Sequence, residues 1–325
     1  MDYRSSLYKI SVAPMMDYTD RHARYLLRLI SPRAILYSEM INAKALLHGN
    51  HEDLLRYSEE EHPLVLQLGG SDPAEMARGA NIAEAAGYDE ININIGCPSD
   101  RVQSGAFGAC LMATPLLVAD IFTAIHSTVD IPVTIKHRIG IDDQDSFADL
   151  ENFVMTASAA GCNTFIIHAR KAWLKGLSPK QNRDIPPLDY ERIYRLKQDH
   201  PELTVIINGG IKTVEQVAIH LDHTDGVMIG REVFNQPWLL ADLEQSLFLD
   251  KTNMLTRSEV QERYASYIDK ELQLGTSAHA LVRPLSGLFH GMAGARHWRR
   301  MLAETVQNSA KNINDLPQRV SEYKL

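Results

Sequence analysis

The chain has 325 residues, 45% of them hydrophobic, which is more than one ordinary domain needs and enough for a sizeable core. No apolar run approaches the ~18 residues of a membrane-spanning helix, no signal segment follows Met1, and three cysteines cannot build a disulfide framework. We therefore expect a cytoplasmic protein with reduced thiols.

The net charge of −8 argues against a nucleic-acid partner, but residues 251–325 carry 11 Lys/Arg and 7 Asp/Glu, so a basic tail follows an acidic body. An ordinary solvated surface explains this asymmetry equally well.

Eight short apolar segments, each rich in Val and Ile, predict buried strands along the first 240 residues. Helical segments lie between most of them, for example 73–86 after an Asp72 cap, 115–129 after a Thr114 cap and 214–221 after Thr213. This alternation predicts an α/β protein with a (β/α)8 TIM barrel over residues 1–245. A doubly wound open sheet is the alternative, but the first strand ends in Pro14-Met15-Met16-Asp17 rather than in a Gly-rich turn. The predicted strands are residues 10–16, 34–40, 64–70, 90–98, 133–140, 164–170, 204–210 and 226–232.

The strand pattern stops near residue 250. Thr256 and Glu259 have the spacing of a capping box, which predicts a helix toward Gln273. Residues 278–289, residues 294–306 and a last stretch toward Tyr323 also have a helical pattern. We therefore predict a small C-terminal helical bundle over residues 246–325.

Polar side chains and glycines stand at the carboxyl ends of the predicted strands, where barrels of this kind carry their chemistry. Burying so many polar groups costs free energy unless something satisfies them, so the set predicts a ligand at the barrel mouth. Its members are Met15, Met16, Glu39, Gln67, Asn94, Cys97, Lys136, Arg138, His168, Arg170, Asn208, Gly209, Gly210, Gly230 and Arg231.

The glycines after the last two strands indicate a phosphate site. Gly209 and Gly210 follow the seventh predicted strand, and Gly230 with Arg231 follows the eighth. These two loops are the usual phosphate site of a barrel, because glycines let backbone N–H groups approach an anion. The alternative is that the glycines only make tight turns.

Three further strand-end residues each admit more than one role. Lys136 can form a Schiff base or hydrogen-bond a carbonyl, or simply extend its amine to solvent. His168 has no second ligand at metal-binding spacing, so we predict no metal site. Gln67 can offer an amide donor and acceptor to a heterocycle, or make a structural hydrogen bond.

Cys97 lies in a turn that sets it apart from the other two cysteines. Gly96 and Pro98 force a tight turn that would present the Cys97 thiol at the mouth of the barrel. Cys110 and Cys162 fit the usual pattern of an inert, buried cysteine.

Six short motifs follow one another along the chain: Ala13-Pro14-Met15-Met16, Asn94-Ile95-Gly96-Cys97-Pro98, Lys136-His137-Arg138, His168-Ala169-Arg170, Asn208-Gly209-Gly210 and Ile229-Gly230-Arg231. In sequence and in order they resemble the motifs of the tRNA-dihydrouridine synthases. The segment 176–187, which contains Lys180 and Arg183, resembles the A-type branch, which acts on D-loop uridines 20 and 20a.

The resemblance implies FMN at the barrel mouth. The isoalloxazine and ribityl groups would be held by Pro14, Met15, Met16, Gln67, Lys136 and His168. The phosphate would be bound by Asn208, Gly209, Gly210, Gly230 and Arg231, in agreement with the phosphate site indicated by the loops.

The resemblance also implies the reaction. NADPH would reduce the flavin and leave, and a uridine flipped out of the tRNA would then stack on the flavin. The reduced flavin would give a hydride to C6 of the uracil and Cys97 a proton to C5, while Asn94 would hydrogen-bond the uracil edge and Lys136 would assist. A free thiol, with a pKa of about 8.5, is mostly protonated at neutral pH and therefore suits an acid.

The basic tail gains a role from the same resemblance. Arg296, Arg299 and Arg300 stand at i, i+3 and i+4, with His297 and Trp298 between them. The resemblance implies tRNA contacts by Arg296 and Arg299 and, from the loop after the sixth strand, by Lys180 and Arg183. A solvated helix face is the alternative.

Three other functions compete with this prediction. A small-molecule FMN reductase of the dihydroorotate dehydrogenase or ene-reductase kind would share the phosphate loops and Lys136, but would leave the helical tail unexplained. An aldolase-type barrel would use Lys136 without flavin, and an RNA-binding module would leave the polar strand ends unexplained. No obligatory protein partner is evident, and the roles of Glu39, Arg138 and Arg170 stay open.

Overall fold

The structure is a computed structural model that describes residues 8–99, 102–103, 105–248, 254–307 and 313–324. The strands are β1 (Ile10–Val12), β2 (Leu36–Tyr37), β3 (Ile41–Asn42), β4 (Leu64–Gly69), β5 (Glu90–Ile95), β6 (Val133–Arg138), β7 (Thr164–His168), β8 (Thr204–Asn208) and β9 (Gly226–Ile229). They are parallel, in the order β1-β9-β8-β7-β6-β5-β4-β2, with β3 also on β4. Val12 N donates to Ile35 O and Ile35 N donates to Ile10 O, which joins β1 to the segment before β2. The predicted barrel is confirmed.

The second predicted strand, residues 34–40, is regular only at β2, and β3 follows just beyond its predicted end. Ser38 N still donates to Val65 O, but the next N–H on β4, that of Gln67, donates to Ser38 Oγ at 3.0 Å. The hydroxyl thus replaces a backbone acceptor and interrupts the ladder, which resumes where Ile41 pairs with Leu68. The prediction of one continuous strand was wrong at this point.

Helices cover the outside of the barrel. Asp72 and Thr213 cap their helices as predicted, by accepting from Glu75 N and Gln216 N. Thr114 stands at a cap position but makes no capping bond, because its hydroxyl donates to Leu111 O. The helices are α1 (Arg21–Ile30), α2 (Ala43–His48), α3 (His51–Leu54), α4 (Pro73–Ala85), α5 (Pro115–His126), α6 (Phe147–Ala159), α7 (Tyr190–Asp199), α8 (Val214–Leu221), α9 (Arg231–Asn235) and α10 (Leu239–Leu247), with 3₁₀ turns at Glu59–Glu61, Gly108–Ala113 and Gln181–Arg183.

The tail is helical after residue 254, with α11 (Arg257–Gln273), α12 (Ala278–Val282), α13 (Ala295–Gln307) and α14 (Leu316–Ser321). The predicted capping box is present. The helix predicted over 278–289 ends early, because Pro284 lacks an N–H and the chain continues as the 3₁₀ turn Pro284–Gly287. No helix in the described part of the chain is long and apolar enough to cross a membrane. The predicted domain boundary at 245/246 lies near the end of α10, and the division stays a prediction.

Helix α11 packs on α1, the helix that leaves the barrel mouth after β1. Arg21 pairs with Glu271 through both guanidinium nitrogens, and His22 Nδ1 lies 2.8 Å from Tyr267 OH. Arg283 Nη2 donates to Asp20 Oδ2 at 2.6 Å. Asp20 and Arg21 begin α1, so these contacts anchor the tail beside the mouth.

The interior of the barrel forms a core separate from the one under the helices. Its apolar members include Tyr37, Val65, Ile166, Ile206 and Met228. Besides Val65, the inward side chains of β4, β5 and β6 include five buried polar ones: Gln67, Glu90, Asn92, Asn94 and Thr134.

Candidate active site

The predicted strand-end residues meet at one mouth of the barrel. In the parallel register Asn94 lies opposite Lys136, Arg138 opposite His168, and His168 opposite Asn208. Side chains alternate along a strand, so Lys136 and Arg138 face the inside while His137 packs outward on Phe153.

The turn that carries Cys97 is held by Asn94. Asn94 Oδ1 accepts from Gly96 N at 3.1 Å and from Cys97 N at 3.0 Å. The thiol is half-buried, and its Sγ lies 3.5 Å from Ser99 Oγ. Gly108 has φ +75°, and a Cβ there would stand 2.6 Å from Cys97 O, so a glycine is needed for the close approach of the next loop. These contacts fix the backbone of Cys97 from two sides.

The other cysteines differ from Cys97. Cys162 is fully buried, as predicted, and burial raises the pKa of its thiol to about 12. Cys110 is only half-buried, with its Sγ 3.1 Å from Phe107 O.

Lys136 is a half-buried amine that donates to an amide. Its Nζ donates to Asn208 Oδ1 at 3.2 Å, and Asn208 Nδ2 donates to Met228 O at 2.7 Å. Burial, and next the nearby Arg138 cation, lower the pKa of Lys136 to about 7. Near neutral pH this amine therefore exchanges its proton readily and can donate to a ligand carbonyl or anion.

His168 is held as a neutral ring. Burial, followed by the cations of Arg138, Lys136, Arg170 and Arg183, keeps the pKa of His168 well below its usual value. Its Nδ1 accepts from Arg170 N at 3.2 Å, so the ring proton is on Nε2. The ring therefore offers an N–H donor on that side.

The first of the two glycine loops has a conformation that only glycine adopts easily. Gly209 has φ +121° and Gly210 has φ +73°, and a Cβ on Gly210 would lie 2.6 Å from Leu188 Cδ1. Gly230 follows β9 and adjoins Met15, whose Sδ would lie 3.6 Å from a Cβ there. The predicted phosphate loops and the Pro14–Met16 segment thus border the same mouth.

Three arginines lie around these loops. Arg231, which follows Gly230, pairs with Asp184 at 2.8 Å on the surface. Arg170 Nε donates to Arg183 O at 2.9 Å. Arg170 Nη1 and Arg183 Nε are buried and have no hydrogen-bond partner among the described residues. Unpartnered buried guanidinium groups are costly, so they favour an anionic or carbonyl ligand.

Sequence reasoning missed a chain of hydrogen bonds through the barrel interior. Asn94 Nδ2 donates to Gln67 Oε1, Gln67 Nε2 to Asn92 Oδ1, and Asn92 Nδ2 to Thr134 Oγ1, at 2.7, 2.7 and 2.9 Å. Thr134 then donates to the buried carboxylate of Glu90 at 2.6 Å. The N–H groups of Gly96 and Cys97 donate to Asn94 at one end of this chain, and Glu90 accepts at the other end. These two ends set the direction of every hydrogen bond between them. The amides of Gln67 and Asn94 are therefore pre-oriented.

The predicted tRNA contacts lie on two separate elements. Lys180 and Arg183 belong to the loop after β7, where Lys180 is exposed and Arg183 is partly buried. Arg296 and Arg299 are exposed on α13. Trp298, which stands between them in sequence, is buried and donates Nε1 to Leu285 O at 2.8 Å, so it is not part of that surface. Among the described residues, no hydrogen bond or ion pair joins the two sets.

Comparison with known proteins decides the family. Residues 11–323 match the family model for dihydrouridine synthase. The chain belongs to the dihydrouridine synthase family. This match confirms the resemblance found in the sequence. It also confirms the prediction that the protein is a flavin-dependent oxidoreductase that acts on tRNA uridine.

Individual relatives support the same conclusion. The chain is 54% identical over 303 residues to the tRNA-dihydrouridine(20/20a) synthase of Shewanella oneidensis, covering 93% of this chain and 90% of the relative. It is 55% identical over 309 residues to that of Escherichia coli K12, covering 95% and 89%. A solved 2-naphthoyl-CoA reductase complex shares the fold, with a TM-score of 0.55 at 12% identity over 73% of this chain. The chain spans half the length of that reductase.

The residues at the mouth fit a flavin mononucleotide. A phosphate needs close backbone approach and positive charge, which the left-handed Gly209 and Gly210 and the unpartnered guanidinium atoms provide. An isoalloxazine ring needs donors for its carbonyls, which Lys136 and neutral His168 provide. No group of three side chains suited to hold a metal ion occurs within the described ranges.

Proposed function

We propose that this protein binds FMN at the barrel mouth and uses NADPH to convert uridines 20 and 20a of the tRNA D-loop to 5,6-dihydrouridine in the cytoplasm. The observation that carries the proposal is the meeting, at one mouth, of the half-buried Cys97 thiol, the pre-oriented Asn94 and Gln67 amides and a cation-rich phosphate loop. Assignment to positions 20 and 20a follows the names of the relatives.

The phosphate end of FMN would be held by the loops after β8 and β9. Backbone N–H groups of Gly209, Gly210 and Gly230 would face the anion, and Arg231 would add charge by exchanging Asp184 for the phosphate. Asn208, at the end of β8, is held by hydrogen bonds with Lys136 and Met228 O, and so it would stabilise the start of the loop after β8. The reason is the one that governs phosphate sites in general: N–H dipoles and a cation stabilise a dianion with little rearrangement.

The ring end would lie over the polar side of the barrel, against Pro14, Met15 and Met16. Lys136 and His168 would donate to the ring carbonyls and stabilise negative charge, and Gln67 would present its remaining N–H to the ring edge. The bound flavin, once reduced by NADPH, supplies the hydride for C6 of the uracil.

Cys97 would hold the proton for C5. Its backbone is fixed through Asn94 Oδ1, so the thiol stands at a defined place above the mouth. The weak 3.5 Å contact to Ser99 Oγ is easily exchanged for a contact with the substrate carbon. Asn94 retains one N–H of its amide for the uracil edge, because only the other is used by Gln67.

The tRNA would be gripped from two sides. Lys180 and Arg183 on the barrel, and Arg296 and Arg299 on α13, would contact the polyanion, while the α1–α11 contacts keep the tail beside the mouth. A uridine flipped out of the tRNA can then reach the thiol.

The proposal is tested on purified protein and on tRNA from cells that lack it. We expect yellow protein that releases FMN on denaturation, and dihydrouridine lost at positions 20 and 20a and restored by the wild-type chain but not by Cys97→Ala. Colourless protein that takes up no added FMN would contradict the cofactor. Efficient reduction of free uracil derivatives in place of tRNA would favour a small-molecule reductase instead.

A further inference from the structure

Two side chains tie the backbone on both sides of Cys97 to another loop. Arg138 Nε donates to Gly96 O at 2.9 Å, on the N-terminal side of the cysteine. Gln103 Nε2 donates to Pro98 O at 2.8 Å, on the C-terminal side. These two carbonyls flank Cys97, so they define where its Cα stands.

The same two side chains reach the loop after β7, residues 171–185, which we call the substrate loop because it carries Lys180 and Arg183. Arg138 Nη1 donates to Lys171 O at 3.1 Å and to Asn182 O at 3.0 Å. Gln103 Nε2 also donates to Leu174 O at 2.8 Å. One planar guanidinium and one amide therefore bridge the cysteine turn, residues 96–98, to the substrate loop, which they reach through three hydrogen bonds.

The substrate loop is closed on itself, so these bridges act on all of it. The buried Asn182 accepts from Trp173 N at 2.8 Å and donates to Trp173 O and Leu177 O at 2.9 and 3.2 Å. Arg170 Nε holds the far end by donating to Arg183 O. Loop and cysteine turn thus form one hydrogen-bonded unit.

The chemistry of Arg138 fits a bridge rather than an ion pair. It is 4% exposed and donates to three backbone carbonyls, with no carboxylate in salt-bridge contact among the described residues. Burial is the main reason that the pKa of Arg138 falls to about 10, so the group stays cationic near neutral pH. A rigid fork of donors can serve three fixed acceptors at once, whereas the single ammonium of lysine cannot reach them all.

We propose that Arg138 and Gln103 are positioning residues for proton delivery: they hold Cys97 at a fixed distance from the substrate loop, so that a uridine bound by that loop meets the thiol. The inference rests on the proposed role of Cys97 as the acid. Arg138 and Gln103 need not touch the substrate, because they act through the backbone of the cysteine turn.

The first test uses Arg138→Lys, which keeps the charge, and Gln103→Leu, in flavin-loaded enzyme. We expect flavin reduction by NADPH to change little, and saturating tRNA removes from the measured rate any effect of the loosened loop on tRNA affinity. The single-turnover rate of dihydrouridine formation at saturating tRNA should fall by about 10- to 100-fold, the loss typical of a small misplacement of a reacting group. Arg28→Lys is the matched control, because Arg28 is also buried on backbone carbonyls but contacts Pro63 O beside the amino-terminal end of β4, away from the mouth, and should lower stability without this kinetic effect.

The second test is a double-mutant cycle with Cys97→Ala. If Arg138 acts through the thiol, adding Arg138→Lys to Cys97→Ala should lower the rate by no more than about twofold. An equal loss in both backgrounds would overturn the proposal. If Cys97→Ala alone has no effect, the assigned acid is wrong, and the positioning role falls with it.

The third test needs no turnover. In a Cys110→Ala/Cys162→Ala background, Cys97 is the single thiol, and iodoacetamide should alkylate it several-fold faster when Arg138→Lys or Gln103→Leu loosens the turn. Unchanged alkylation together with an unchanged rate would mean that the bridges do not control the thiol.

Discussion

Glu90 is a buried carboxylate inside the barrel, and its replacement tests the interior hydrogen-bond chain. It accepts from Thr134 and from Tyr8 OH, yet burial still raises its pKa to about 7. Glu90→Gln keeps an acceptor for Thr134 and turns an N–H toward the Tyr8 oxygen, so the shape of the network is retained. The change removes the titration and, equally at every pH, the acceptor that Glu90 offers to the Tyr8 O–H.

The size of the effect follows from linkage. The unfolded pKa of a glutamate is about 4.3, so the folded protein holds this proton more tightly by nearly three units, or about 4 kcal/mol. Because the pKa is raised on folding, the stabilisation is complete below about pH 4.3 and is lost as the pH rises to about 7. Glutamine does not titrate. The stability of Glu90→Gln relative to wild type should therefore increase by about 3 kcal/mol between pH 4.5 and pH 8.

The assay is urea unfolding of both proteins, saturated with FMN, at several pH values across this window. Lys136 and His168 also titrate abnormally, but they are common to both proteins and cancel in the difference. Stability curves that run parallel over the whole range would refute the reasoning. They would mean that Glu90 is ionised in the folded state at every pH tested.

Three further changes test the site. Cys97→Ala should leave flavin reduction by NADPH intact and lower dihydrouridine formation by ~10²–10⁴-fold, measured by single turnover. Gly210→Ala should lower FMN occupancy, measured by absorbance, because its Cβ would meet Leu188 at a φ of +73°, whereas Gly176→Ala has the same strain with open space around it and should keep FMN. Replacing Arg296 and Arg299 by Ala should weaken tRNA binding and flatten the dependence of log affinity on log salt by roughly 0.7–0.9 per lost phosphate contact.

These predictions have their own controls. Cys110→Ala and Cys162→Ala should both keep the rate of dihydrouridine formation, since Cys162 is fully buried and the Cys110 thiol is directed to Phe107 O. Arg195→Ala removes an exposed arginine that already pairs with Asp199 and should leave tRNA affinity unchanged. Wild-type tRNA affinity in the α13 double variant would return that helix to the role of a solvated surface.

The barrel could be predicted because its signal is local. Runs of Val and Ile bounded by capped helices give buried strands in chain order, and parallel strands bring their carboxyl ends to one mouth. The motif around Cys97 was readable for the same reason. Asn94 reaches the N–H groups two and three residues ahead, so these local bonds of the turn lie within four residues.

The interior chain could not be predicted, because its bonds cross between strands. Glu90, Asn92 and Asn94 alternate with isoleucines, so the sequence does indicate a polar inward face on β5. Their partners Gln67 and Thr134 come from β4 and β6, and which residues meet depends on a register that alternation alone does not give.

Two other features, the contact of Gln103 with Leu174 and the burial of Trp298, were not predicted, for different reasons. Gln103 stands in a loop without periodicity, and only the fold brings it to Leu174. The burial of Trp298 could have been predicted, because a residue two positions after Arg296 lies on the opposite side of a helix. The structure places it in the core of the tail.

The net charge of −8 and the tRNA substrate are compatible because charge acts locally. At physiological salt, exposed charges farther apart than about 8 Å are largely screened, so acidic residues spread over the outer helices have little influence at the mouth. There, the carboxylate paired with Arg231 is that of the exposed Asp184, while Arg138, Arg170 and Lys136 have backbone or amide partners. The field that a polyanion meets on entering is set in large part by the guanidinium groups of Arg138 and Arg170, whose effect the low dielectric of the site strengthens. The sign of the local field at the site, rather than that of the whole chain, therefore decides which substrate can enter.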